Sequence, residues 1–217
     1  MNRTIVLLLL STAALSVFAA VLLVGILNGA GQQSDSTQPQ VTATPPGKYV
    51  DKDGAIRLPE DYRLKWTHLG SWHVDDSMNG PGGMHDVYAE PEAVEAFRKT
   101  GKWPHGATIV KEIRAGRKGN MTTGIVRWDG EITMWFVMVK DSNHTFPDNP
   151  NWGRGWGWGL FSIDDPKTNI STDYKIDCLG CHVPAKNTDW IYTHGYPILF
   201  EKEGPFKKYL KENYDGK

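Results

Sequence analysis

The chain has 217 residues, with 24 Lys and Arg against 25 Asp and Glu and a formal net charge of −1. A near-neutral balance without any Lys/Arg cluster excludes a nucleic-acid surface, which needs a basic stripe to neutralise phosphates. The only cysteines are Cys178 and Cys181, so no disulfide framework holds the fold and a hydrophobic core must do so.

Residues 5–27 are uncharged and apolar; Arg3 precedes them and no basic residue follows until Lys48. The run exceeds the roughly 7–15 residues of a signal-peptide core and reaches the roughly 20 needed to cross a bilayer. It predicts an anchor with its N-terminus in the cytoplasm, in preference to a signal cleaved near Asn28-Gly29-Ala30. Either way the remainder is exported, to the periplasm or to the outer face of the cytoplasmic membrane. Residues 31–47, rich in Gln, Ser, Thr and Pro, predict a flexible linker. Residues 1–30 are thus the export or anchor helix, 31–47 the linker, and 48–217 a single folded domain.

Within the domain, Leu58-Pro59-Glu60-Asp61-Tyr62 predicts a helix start with Pro59 at the first helical position. Leu69–Val74 predicts an extended segment, residues 79–83 a glycine-rich loop, and His85–Ala89 a short strand. Pro91–Lys99 predicts a helix, opened by proline, with Ala93, Val94 and Phe97 on its apolar face and Gly101 past its end. Ala107–Arg114 alternates, with Ile109, Lys111 and Ile113 on one face and Val110, Glu112 and Arg114 on the other. Thr122–Trp128 and Glu131–Val139 flank Asp129-Gly130, a hairpin-turn signal. Met134–Val139 is apolar on both faces, which predicts a central strand covered on both sides. Asn143–Asn151 is a loop. In Gly155–Phe161, Trp156 and Trp158 share one face and glycines the other, a pattern that admits a ligand or backbone at close range. Pro205 to Asn213 predicts a terminal helix. Strands and helices together predict an α+β domain.

Cys178-Leu179-Gly180-Cys181-His182 carries the chemistry. C-x-x-C-H is the attachment signature of a c-type haem. On one helical turn the two thiols can fix the porphyrin edge while the imidazole reaches the iron. Ser171 and Thr172 are candidate caps for that turn, Asp173 suits its first turn, and Pro184 its end. A structural zinc would need about four ligands, and neither a third cysteine nor a nearby His-x(3–5)-His pair supplies them. A redox dithiol would need a βαβ context, and a disulfide at this spacing would be strained. Covalent haem c, one per chain with His182 on the metal, is the reading the motif favours. Trp156 and Trp158 are candidate walls for it. His68, His73, His85, His105, His144 and His194 are each a conceivable second axial ligand, though none sits in a motif.

Lys111 stands between Ile109 and Ile113. A buried lysine is costly unless paired, neutralised or modified. Alternatively, the strand is an edge and Lys111 snorkels to solvent.

Several stretches coincide with one family: Leu-Pro-Glu-Asp-Tyr-Arg at 58–63, Ile-Val-Lys-Glu at 109–112, Trp-Gly-Trp-Gly at 156–159, the late Cys-x-x-Cys-His at 178–182, and Asp-Trp-Ile-Tyr with Gly-Tyr-Pro within 189–197. Together they resemble the cytochrome P-460 family, which includes the sheet-rich cytochromes c′-beta. The resemblance spans residues 58–199. It implies an antiparallel sheet flanked by helices, with the haem helix near the C-terminus, and a homodimer with one haem per subunit. It implies an iron bound by His182 and open on its other side. In hydroxylamine-oxidising members a strand lysine is joined to a haem meso carbon, and Lys111 matches that position. The c′-beta members lack the cross-link, crowd the open face with apolar aromatic residues and bind nitric oxide.

The resemblance thus implies a small nitrogen ligand, hydroxylamine or nitric oxide, and for the oxidase a redox acceptor protein; a membrane-tethered electron carrier is the remaining alternative. Oxidation also benefits from a proton acceptor above the iron. The strand Thr133–Val139 offers only Thr133 and apolar residues, which leaves His85, Asp86 and Glu131 as candidates.

Overall fold

Alternating apolar residues build the centre of the molecule. A computed structural model describes residues 45–75 and 80–200. The apolar segment expected at 1–30, most of the linker expected at 31–47, part of the 79–83 loop and the helix expected at 205–213 lie outside the described residues. Strands β1 (Thr67–Val74), β2 (Gly83–Ala89), β3 (Thr108–Met121), β4 (Gly124–Lys140), β5 (Trp152–Gly153) and β6 (Trp156–Ser162) form one sheet in the order β1-β2-β3-β4-β6-β5. Every pairing is antiparallel. With the four short α-helices among the described residues this is an α+β fold. Among the described residues no helix is long and apolar enough to cross a membrane.

The register places Val87, Lys111 and Phe136 side by side on β2, β3 and β4, and directly opposed residues share a face. Ile109, Met138 and Trp158 continue that face. It is covered by helix α2 (Pro91–Thr100), through Ala93, Val94 and Phe97, and by residues 174–199, through Tyr174, Cys178, Ile191, Tyr196 and Leu199. The other face carries Val110, Trp135, Val137, Val139 and Phe161. It is covered by Val50, Ile56 and Tyr62 and, at the far end, by Trp152. The central, doubly covered position expected of Met134–Val139 is therefore realised, with β3 and β6 as its neighbours.

Helix α2 follows its sequence signals: proline opens it and Gly101, at φ 70°, ends it by a bond from its N–H to the Phe97 carbonyl. The Trp-Gly alternation is also realised. A side chain at Gly157 would come within 2.6 Å of the Trp152 ring, so β5 can fold over β6 only because that position has none.

Three local expectations are corrected. Helix α1 is Tyr62–Lys65, after the proline, because Asp61 rather than Leu58 occupies its N-cap position. Asp129-Gly130 is not a turn: β4 runs straight through it, and the chain reverses at Thr122-Thr123, between the paired Met121 and Gly124. A type I′ turn needs positive φ at both central residues. Neither Asp129 nor Gly130 has it, whereas Gly124 does, at 124°. Asp129 instead pairs with Gly116 next to a bulge, and Gly130 lies close against Ala115. Finally, the motif turn is two short helices, α3 (Tyr174–Asp177) and α4 (Leu179–His182), broken at Cys178. Asp173 is the N-cap, its carboxylate accepting from the Lys175 N–H, and the α-helical turn ends at His182, just before Pro184, as expected, with a 3-10 turn over Val183–Thr188 following.

Candidate functional site

A cavity of about 470 Å³ lies between the sheet and the 174–199 segment. That size falls in the range of roughly 300–1,000 Å³ typical of cofactor sites. Its sheet-side wall is the face built by Val87, Ile109, Lys111, Phe136, Met138 and Trp158. Its other wall brings Cys178, Cys181 and His182 together with Ile191, Tyr192 and Tyr196. Trp72, Pro81 and His85 also line it.

The 178–182 stretch presents both sulfurs and the imidazole because α4 is a single turn. Cys178 is buried and Cys181 exposed, and neither is in a disulfide. Burial pushes the Cys178 thiol up to about 11. The His182 Nδ1 lies 2.7 Å from the Trp190 carbonyl oxygen. A carbonyl only accepts, so Nδ1 carries the proton and Nε2 is left as a lone-pair donor. The edge of Trp158 packs against the His182 ring, 5.0 Å between centroids. Burial, and next the charge of Lys111, push His182 down to about 4, so the ring stays neutral.

Lys111 projects into the cavity from the middle of β3. The edge-strand alternative is overturned, since β2 and β4 pair with β3 on either side of it. Its ammonium sits 4.3 Å from the centre of the Phe136 ring. It makes no hydrogen bond or ion pair among the described residues. Burial pulls its pKa below the ordinary lysine value, while the two motif cysteines nearby act the other way. A perturbed, unpaired amine lining a cavity makes Lys111 a functional-site candidate.

The proton-acceptor candidates separate. His85 lines the cavity, with Nε2 3.0 Å from the Pro81 carbonyl. Burial, and then Lys111, lower it to about 4, so it is a neutral base whose Nδ1 is an acceptor. Asp86 is corrected to the opposite face: strand alternation turns it away, and it accepts from Ser71 Oγ at 2.5 Å. Glu131 is also corrected. It is exposed and held by Arg117, far along the ribbon from the cavity face. Trp158 lines the cavity, but Trp156 is packed behind it, its indole N–H donating to the Asp189 carbonyl at 3.0 Å. Among the other histidines, none besides His85 and His182 lines the cavity.

Sequence reasoning missed Trp72, Tyr192 and Tyr196 as cavity residues. Trp72 had a usable signal, since it pairs with His85 across β1 and β2. Tyr192 and Tyr196 sit on irregular 3-10 turns without any periodicity to read.

An apolar-walled volume of this size with two thiols and one imidazole on a single side suits a porphyrin. Cys178 and Cys181 would hold its edge and His182 Nε2 its iron, while Met138 and His85 are the only further Met and His side chains among the described lining residues. A protein-family model described as Cytochrome P460 matches residues 59–193. No curated protein matches the chain.

Proposed function

Since the chain belongs to the cytochrome P460 family, and so is a haem-binding cytochrome, we propose that it is an exported mono-haem hydroxylamine oxidase. One haem c is attached through Cys178 and Cys181, His182 binds the iron, and Lys111 is joined to a meso carbon. The product is nitrous oxide or nitric oxide. The observation that carries this reading is Lys111: a lysine without an anionic partner, enclosed in the cavity that the motif cysteines and His182 line. Modification removes the cost of burying it.

When bound, the haem supplies the redox-active iron. The chain's own residues supply the rest. Val87, Phe136 and Met138 make the sheet-side wall apolar, which would keep water from a small ligand held there. Oxidising hydroxylamine releases protons with the electrons. Neutral His85 is the base placed to take a proton, through the ring nitrogen that Pro81 does not occupy. An external redox protein takes the electrons. The long β3–β4 ribbon exposes Met121, Ile125 and Trp128, which suits a homodimer contact.

A second reading, a nitric-oxide-binding cytochrome c′-beta, has an observation of its own: none of the described cavity residues is a carboxylate. Phe136 and its apolar neighbours would then simply crowd the ligand.

The deciding experiment is spectroscopic. A lysine nitrogen on a meso carbon perturbs the conjugation, so the reduced Soret band should lie well to the red of an ordinary c-type haem. Lys111→Leu should restore the ordinary band, keep both thioethers and abolish hydroxylamine turnover. An ordinary native spectrum, with the Lys111 peptide free of haem, would give first place to the nitric-oxide binder.

A further inference from the structure

The imidazole N–H of an axial histidine commonly finds a carbonyl. What is particular here is how that carbonyl is held. Trp190, whose oxygen accepts from His182 Nδ1 at 2.7 Å, has φ 67°, and Asp189 before it has φ 57°. Two successive non-glycine residues in the left-handed region persist only where their surroundings fix them.

The surroundings converge on Asp189. Its carboxylate takes a 2.8 Å bond from Lys140 Nζ on β4. The indole N–H of Trp156 on β6 is shared between the Asp189 carbonyl at 3.0 Å and its Oδ1 at 3.3 Å. Lys140 also lies 4.8 Å above the Trp156 ring, and Lys140 and Trp156 are cross-strand partners. The Trp190 N–H is tied back to the Ala185 carbonyl at 2.9 Å. A turn that irregular would otherwise be free to rotate its carbonyl away. Here it is bolted to the rigid sheet.

We propose that Asp189, clamped by Lys140 and Trp156, is a positioning residue that fixes the Trp190 carbonyl on His182 Nδ1 and so sets the donor strength of His182 toward the haem iron. The proposal rests on His182 being the axial ligand. A carbonyl held on Nδ1–H pushes electron density to Nε2, which favours ferric over ferrous iron and weakens the bond to a ligand on the opposite side.

The test uses the haem-loaded protein. Asp189→Ala removes the carboxylate, and Asp189→Asn keeps both an acceptor oxygen and a residue that tolerates positive φ. Asp189→Ala should favour reduction about tenfold, a rise of about 59 mV in a one-electron potential, and lower the iron–imidazole stretching frequency of the ferrous protein. Asp189→Asn should restore both. If Asp189→Ala does not accumulate with haem, Lys140→Gln and Trp156→Phe each remove one bond to Asp189 and carry the same readouts. A lowered melting temperature with unchanged potential and stretching frequency would overturn the proposal, because a purely structural clamp predicts that pattern. Failure of the underlying reading looks different: His182→Ala would then leave the native spectrum and potential unaltered.

Discussion

Lys111 and Glu112 are neighbours on β3, both ionisable and both enclosed, and the two faces of the sheet treat them in opposite ways. Glu112 is fully buried yet saturated. Tyr62 donates its hydroxyl to one carboxylate oxygen and Arg114 its Nε–H to the other. Arg63 stands 3.7 Å away, and Trp135 completes the chain by donating to the Tyr62 oxygen at 2.8 Å. Lys111, turned the other way by alternation, has among the described residues only the face of Phe136. A buried carboxylate with every oxygen bonded belongs to the scaffold of its face, whereas a buried amine without a counter-ion, lining a cavity, marks a functional-site candidate. The comparison therefore separates a structural face from a working face within two residues of sequence.

Glu112→Ala should produce the largest break. It strands Arg114 and the Tyr62 hydroxyl in the core, and losing one partner of a buried pair costs about 3–5 kcal/mol. Denaturant unfolding should show that loss while haem attachment and spectrum persist in the folded fraction. A change in spectrum without a change in stability would erase the distinction between the faces.

Tyr62→Phe should cost less, about 1–3 kcal/mol, since it leaves Glu112 and the Trp135 N–H each short of one bond. Its pH dependence sharpens the point. Burial, and then the bond to Glu112, raise the Tyr62 pKa well above the ordinary phenol value. The native state thus favours the protonated phenol. Its contribution is fully present below about pH 10, the unfolded value, and is lost as pH rises toward the folded one. Unfolding midpoints of the native chain and Tyr62→Phe should therefore differ at pH 8 and converge above pH 10. A difference that grows with alkalinity would contradict the assigned bond.

Lys111→Leu should have the smallest effect on stability, neutral or stabilising by about 1 kcal/mol, because an apolar side chain of similar volume replaces an unpaired buried amine. Thermal unfolding of the haem-free protein checks this. A loss comparable to that of Glu112→Ala would mean that Lys111 is part of the scaffold.

Much of this asymmetry was legible in the sequence. Alternation alone put Ile109, Lys111 and Ile113 on one face and Glu112 on the other. The apolar run Met134–Val139 marked the strand beside them, and the Cys178–His182 motif named the opposite wall. Alternation cannot say whether a strand is central or at an edge, since that depends on which strands pair with it. The fate of Lys111 was therefore settled only by β2 and β4. Asp129-Gly130 misled for a related reason: a turn dipeptide competes with the continued ladder, and the bulge at Arg114–Gly116 absorbed it. The Asp189-Trp190 bend left no signal, because its conformation is imposed by Lys140 and Trp156 from distant strands.

The unequal exposure of the two motif thiols bears on manufacture. Cys178 is 6% exposed, packed among residues that the finished fold has already closed over it, whereas Cys181 remains open at the surface. Assembly machinery could reach Cys181 on a completed domain but not Cys178. The wall that carries both thiols also follows all six strands in the chain, so the sheet can form while that wall is still unfolded. If the haem is joined to Cys178 as proposed, that bond has to form before the segment carrying Cys178 closes against the sheet, and a chain that folded first would be barred from it.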